Sequence, residues 1–181
     1  MHRLFVALPV PPSVSERLLD CMDGPDALRW TEAEQLHLTL RFIGNVDGDL
    51  AEDVAHALAS LHAYAFTLRL NGVGQFHHKG SGALWAGVEP REPVAALARK
   101  IKRAVQSAGA PPETRAFVPH ITLARWSGPA PDLGPWLRAH GDLGGEPWPV
   151  TRFTLFESHL TRHGPHYEPV LVRDLAAAPG G

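Results

Sequence analysis

Cysteine is almost missing: Cys21 is the only one in 181 residues. No intramolecular disulfide can form, so the fold must rest on its core, and this usage fits a reducing cytoplasm. Strong charge of either sign is missing too. The formal net charge of −2 leaves no field that would gather long nucleic acid or an anionic membrane. A nucleic-acid partner is therefore expected at a local site, such as an end. Long apolar runs are lacking. The stretch Leu4 to Val10 is interrupted by Pro9 and closed by Pro11-Pro12. No small-residue cleavage site follows it, which reads against a signal peptide. Nothing reaches the ~20 residues of a membrane span. Metal-ligand spacing is absent as well. His77 and His78 are adjacent and splay apart on an extended chain. His159 and His163 stand four apart, which suits a helix, but the alternation before them and Gly164-Pro165 after them predict strand and turn. Neither a metal nor a cofactor is expected. What remains is an ordinary globular composition, 44% hydrophobic and 20% charged, long enough for one domain or two packed lobes.

Two short stretches stand out because they are near copies. His37-Leu38-Thr39-Leu40 recurs 83 residues later as His120-Ile121-Thr122-Leu123. Both lie in β-branched and leucine-rich surroundings that predict strands, whose successive side chains point to opposite faces. His37 and Thr39 then share one face, as do His120 and Thr122, while the intervening aliphatics point into the core. A single His-x-Thr is weak evidence, since strands hold such residues for packing alone. A repeated one, with the hydroxyl at the same offset, offers two imidazoles and two hydroxyls to one groove. That set suits acid–base chemistry on a phosphate.

Taken in order, Arg3 to Leu8 predicts a buried strand. Ser13 with Glu16 forms a capping box for a helix ending near Gly24-Pro25. The first motif strand runs over Leu36 to Ile43, and a helix with Leu50, Val54, Leu58 and Leu61 inward follows a cap at Asp49. Phe66 to Leu70 alternates as a strand, Gly72 to Gly82 is a glycine-rich connection, and Ala83 to Val88 is a strand. A helix opens at Glu92-Pro93 and ends at Gly109; the second motif strand spans about Phe117 to Trp126. One short helix near Leu133 to Ala139, strands over Thr151 to Leu160 and Tyr167 to Val172, and a frayed tail from Ala176 to Gly181 complete the chain. The order strand, helix, motif strand, helix thus occurs twice. It predicts an α+β fold of two pseudo-symmetric lobes, each a mostly antiparallel sheet with helices, within one bilobal domain 1–181. The lobes cover roughly 1–80 and 81–175, with strand exchange between them, and the motif strands line a central groove.

These residues resemble the two-histidine phosphoesterase superfamily, in particular the LigT-like RNA 2′,3′-cyclic phosphodiesterases, also called 2′–5′ RNA ligases. The likeness runs from Arg3-Leu4-Phe5-Val6-Ala7-Leu8 through His37-Leu38-Thr39-Leu40-Arg41-Phe42-Ile43-Gly44 and Leu84-Trp85-Ala86-Gly87-Val88. It continues through Phe117-Val118-Pro119-His120-Ile121-Thr122-Leu123-Ala124-Arg125 to Tyr167-Glu168-Pro169. The resemblance implies metal-independent hydrolysis of an RNA-terminal 2′,3′-cyclic phosphate to a 2′-phosphate. It also implies His37 as proton donor and His120 as acceptor, with Thr39 and Thr122 on the phosphate oxygens. Ligation of RNA ends through a 2′–5′ linkage, cleavage of 2′–5′ oligoadenylate, or simple capture of RNA ends are the alternative activities.

Four further residues are candidates for substrate binding. Arg41 shares the parity of His37 and Thr39. Arg125 matches the family's trailing arginine, yet strict alternation sets it on the face opposite His120, so a bulge or strand end must intervene. Phe42 and Phe76 offer aromatic faces to a terminal base, as does Trp85, although core packing is the ordinary reading of each. Arg99, Lys100, Lys102 and Arg103 cluster on a predicted helix, which reads either as a solvated face or as a contact for an RNA backbone. RNA ends or cyclic nucleotides are the expected partners of a cytoplasmic monomer, with no protein partner and no membrane.

Overall fold

The computed structural model describes residues 1–179, so the last two residues of the expected tail, Gly180 and Gly181, lie outside the described part. The chain runs β1 (His2–Pro9), α1 (Pro12–Leu19), β2 (Arg29–Trp30), a 3₁₀ turn (Ala33–Gln35), β3 (His37–Val46) and α2 (Gly48–Ala59). It continues with β4 (Phe66–His78), β5 (Ser81–Glu89), α3 (Arg91–Ser107), β6 (His120–Ser127), α4 (Gly134–His140), β7 (Trp148–Val150), β8 (Arg152–Thr161) and β9 (Gly164–Asp174). No described helix is long and apolar enough to cross a membrane.

The strands pair antiparallel in the order β7-β4-β5-β6-β3-β1-β8-β9, with β2 added to β6. Each half of this sheet draws on both halves of the chain: β4 pairs with β5, and β8 pairs with β1. Among the described residues the halves of the sheet meet where β3 touches β6, and their shared register is a single pair, Leu38 opposite Ile121. Those residues are equivalent in the two motifs, so a local twofold axis passes between them. Both side chains are essentially fully buried, a burial worth about 1.5–3 kcal/mol each. They join one continuous cluster with the apolar stripes of the helices, among them Val14 and Leu18 of α1, Val54 and Leu58 of α2, and Leu97 and Ile101 of α3.

The two motif strands carry the same irregularity. Along β3, Thr39 pairs with Ala7 and Arg41 with Val6, leaving Leu40 as an extra residue. Along β6, Thr122 pairs with Trp85 and Ala124 with Leu84, leaving Leu123 extra. Each bulge reverses the facing of the residues that follow it, and in β3 a second shift, which leaves Ile43 extra between Phe42 and Gly44, reverses it again.

Local details depart from the sequence reading in instructive ways. Helix α1 begins at Pro12, and Pro11 serves as its cap through its carbonyl, which accepts from the Val14 and Ser15 amides. Ser13 is already inside, where Pro12 has preset the first helical φ. Asp47, not Asp49, caps α2, accepting from the Leu50 amide at 2.9 Å. The stretch read as a connection, Gly72 to Gly82, is a long hairpin of β4 and β5, turned at Lys79-Gly80 where both residues have positive φ. Its glycines serve packing. A Cβ on Gly74 would lie 2.2 Å from the Trp85 ring, and one on Gly82 would lie 2.1 Å from Trp126, so only hydrogen admits the indoles. Ala176 is no loose end, since its backbone bonds Ala63 and Ala65.

Candidate active site

The register of the bridge fixes the site. With Leu38 opposite Ile121, antiparallel pairing sets His37 across from Thr122 and Thr39 across from His120, all four on the face away from the core. Each histidine is therefore diagonal to the other. The four line one pocket of about 270 Å³ with Arg29, Trp30, Thr31, Gln35, Arg125, Pro165 and Tyr167.

Both imidazoles are anchored in the same way. His37 Nδ1 lies 2.6 Å from the Gln35 carbonyl and His120 Nδ1 lies 2.7 Å from the Val118 carbonyl. A carbonyl only accepts, so Nδ1 carries the hydrogen in both rings and Nε2 is left to gain or lose a proton. His37 Nε2 sits 3.0 Å from Thr39 Oγ1. Neutral, it accepts from that hydroxyl; protonated, it donates to it. His120 Nε2 has no partner among the described residues. Aromatic rings fix the tilt of both. Tyr167 stands edge-on to His37 at 5.4 Å and Phe76 edge-on to His120 at 4.9 Å. Phe5 and Trp85 approach from the neighbouring strands at 5.1 and 6.1 Å.

Burial pushes the His37 pKa below its ordinary value, against the pull of the Gln35 carbonyl, and the charges of Arg125 and His120 push it further. His120 is lowered for the same leading reason, opposed by Val118 and assisted by Arg125. Both rings are therefore neutral near pH 7 until an anion enters. An anion held between them would oppose that shift and favour their protonation.

The bulges sort the remaining candidates. Past Leu123 the facing of β6 reverses, so Arg125 rejoins His120 and Thr122 and lines the pocket. Past Leu40 the same reversal carries Arg41 off the His37 face, and its equivalent in β6 is the buried Ala124. Arg41 is itself buried, and its Nη2 donates to the Pro111 carbonyl. Its Nε and Nη1 have no partner among the described residues, and burial lowers its pKa. It borders a larger cavity beside the pocket, not the pocket itself. Phe42 is the counterpart of Arg125 in β3, exposed, with the Arg3 guanidinium 4.9 Å from its ring centre. Phe42 and Phe76 both face that larger cavity.

Alternation alone does not place Tyr167 in the site, because it lies 47 positions beyond His120 and the pairing of β9 with β8 is what returns it. Its hydroxyl makes no hydrogen bond among the described residues. Gln35 also joins the wall; its amide donates to the Pro165 carbonyl at 2.5 Å, tying the approach to β3 to the β8–β9 turn. The signal for both was their closeness to a motif or to the likeness at Tyr167-Glu168-Pro169. His159 lies in β8 and His163 in the following turn, so helical ligand spacing does not arise. Glu157, His159 and Glu168 do bring their polar atoms within 4.8 Å of one another. His159 Nε2 is already bonded to Glu168 at 2.9 Å, and Glu157 to His2 at 2.8 Å.

The chain is similar to several known proteins. An RNA 2′,3′-cyclic phosphodiesterase of Aeropyrum pernix is 35% identical over 149 residues, covering 78% of this chain and 82% of its own. One from Thermus thermophilus is 34% identical over 177 residues, covering 91% and 86%. The crystal structure of Escherichia coli LigT complexed with 3′-AMP superposes with a TM-score of 0.80 at 27% identity, covering 96% of this chain and 98% of that one. The sequence model of the 2′–5′ RNA ligase superfamily matches residues 11–163, and by that match, which takes in both His-x-Thr strands, the chain belongs to the 2′–5′ RNA ligase superfamily.

Proposed function

We propose that this protein hydrolyses the 2′,3′-cyclic phosphate at an RNA end to a 2′-phosphate, using His37 and His120 as general acid and base. One observation carries the reading: a single β-bridge gathers both imidazoles and both threonines, and both Nδ1 anchors turn Nε2 toward the same small pocket beside Arg125. The names of the Aeropyrum and Thermus relatives point the same way, as does the 3′-AMP held by LigT.

In the reaction the cyclic phosphate sits over the bridge, with Thr39, Thr122, Arg125 and Tyr167 donating to its non-bridging oxygens. His120 takes a proton from water as the water oxygen bonds phosphorus. The bond from phosphorus to the 3′ oxygen breaks, and that oxygen leaves with the proton of His37. The product keeps its phosphate on the 2′ oxygen, and exchange with solvent restores both rings. General acid–base transfer supplies about 10²–10⁴-fold; donors arranged around the developing charge supply much of the rest. Phe42 and Phe76 offer the terminal base its stacking surface. Run in the same direction with an RNA 5′-hydroxyl in place of water, the same groups form a 2′–5′ linkage, in keeping with the family's name.

The test is incubation with an RNA bearing a 2′,3′-cyclic end and identification of the product. A 2′-phosphate is expected. A 3′-phosphate, or an unchanged cyclic end, would refute the proposal.

A further inference from the structure

The larger cavity beside the catalytic pocket, about 650 Å³, shares Thr39 and His120 with it. Cavities of about 300–1,000 Å³ take whole drug-sized ligands, so this one has room for more than a single base. Three exposed phenylalanines, Phe42, Phe76 and Phe117, stand around it. Its outer wall is α3, which turns Ala95, Ala98, Arg99 and Lys102 toward it at helical spacing. The basic cluster noted in the sequence is thus divided. Lys100 Nζ donates to the His62 carbonyl at 2.9 Å, and Arg103 does not line the cavity.

Charge in this cavity is one-sided. Arg41, Arg99, Lys102 and Arg115 border it against one carboxylate, Glu113, in a chain whose net charge is −2. Arg99 is paired with Glu92 at 2.7 Å and Arg115 with Glu113 at 3.3 Å. Both pairs are solvent-exposed and readily exchanged for a stronger anion. Lys102 has no ion pair among the described residues. A mononucleoside cyclic phosphate has one phosphate, and the catalytic pocket consumes it. It would leave these cations without a phosphate to meet. An added internucleotide phosphate meets them.

Resting on the phosphodiesterase reading above, we infer that this cavity binds the nucleotide preceding the cyclic end, with Lys102 and Arg99 on the phosphodiester that joins the two. Phe117 then serves the second base as Phe42 and Phe76 serve the first. The substrate class is an RNA 3′ end of at least two nucleotides, and the mononucleotide is a truncated version of it.

The experiment compares kcat/KM for a dinucleotide ending in a 2′,3′-cyclic phosphate with that for the corresponding mononucleoside 2′,3′-cyclic phosphate. In the unaltered protein the dinucleotide is expected to lead by on the order of tenfold or more at low salt, as charge-assisted contacts imply, and the lead should shrink as salt rises. The Arg99→Met, Lys102→Met double variant should bring the ratio close to one. Arg103→Met, on the same helix but outside the cavity, should preserve it. A ratio near one in the unaltered protein, or a lead that survives the double variant, overturns the inference while the phosphodiesterase reading stands. Failure to hydrolyse either substrate overturns both.

Discussion

Tyr167→Phe removes one oxygen from the site and little else. The ring lies 4.9 Å from Phe5 and 5.4 Å from His37, edge-on to both, and phenylalanine keeps those contacts. Tyr167 lines the pocket, and its hydroxyl makes no hydrogen bond to any described residue. Burial holds its pKa above the ordinary 10.0, against the charges of Arg125 and Arg3, so it is a donor throughout the working range. A hydrogen bond to a charged group is worth about 1.5–3 kcal/mol. If made only in the transition state, its loss costs about 10- to 150-fold in rate. Steady-state hydrolysis of a nucleoside 2′,3′-cyclic phosphate separates the possibilities. A fall in kcat means the bond forms as charge develops; a rise in KM alone means that the ground state uses it equally. The melting temperature should not move. By contrast, Tyr167→Ala should also lower stability, by less than the ~3–5 kcal/mol of a fully buried aromatic. A Tyr167→Phe variant within about twofold of the parent in kcat/KM would refute the assignment of this hydroxyl to the phosphate.

Four other outcomes follow. His37→Ala and His120→Ala should each lower kcat by several orders of magnitude, with the double variant little worse than the poorer single; additive losses in folded proteins would mean that the rings do not act in one step. Because both folded-state histidine pKa values lie below the ordinary 6.5, kcat/KM should be bell-shaped with its maximum on the acid side of that value. The unfolded chain takes up protons first as pH falls, so stability should be level above about 6.5 and decline below it; a thermal-melt series that strengthens toward acid would contradict the burial of these rings. Hydrolysis should persist in excess chelator, and loss of activity restored by one divalent ion would end the two-histidine mechanism.

The antiparallel α+β character and the four motif side chains were legible because both rest on repetition and alternation, which are local. Arg125 and Arg41 show where alternation stops being informative. Each lies just beyond a bulge at a leucine, Leu123 or Leu40, and nothing in Leu-Ala or Leu-Arg distinguishes a bulged pair from a regular one. The register of the neighbouring strand decides it. Gly74 and Gly82 read as looseness, yet they admit two indoles from residues 11 and 44 positions away. Tyr167 could not be assigned to the site because its place depends on the last hairpin folding back over β1.

The paired bulges bear on how a substrate is oriented. A site with true twofold symmetry would accept a ligand in two poses half a turn apart, and each histidine would meet either oxygen equally often. Phe42 and Arg125 occupy matching positions in the two strands, one offering an aromatic face and the other a guanidinium. A ribose carries a base on one side and a phosphate on the other, so only one of the two poses satisfies both. In the proposed reaction the entry side of the water and the exit side of the 3′ oxygen would thereby be distinguished, and two rings anchored by the same kind of hydrogen bond would cease to be interchangeable.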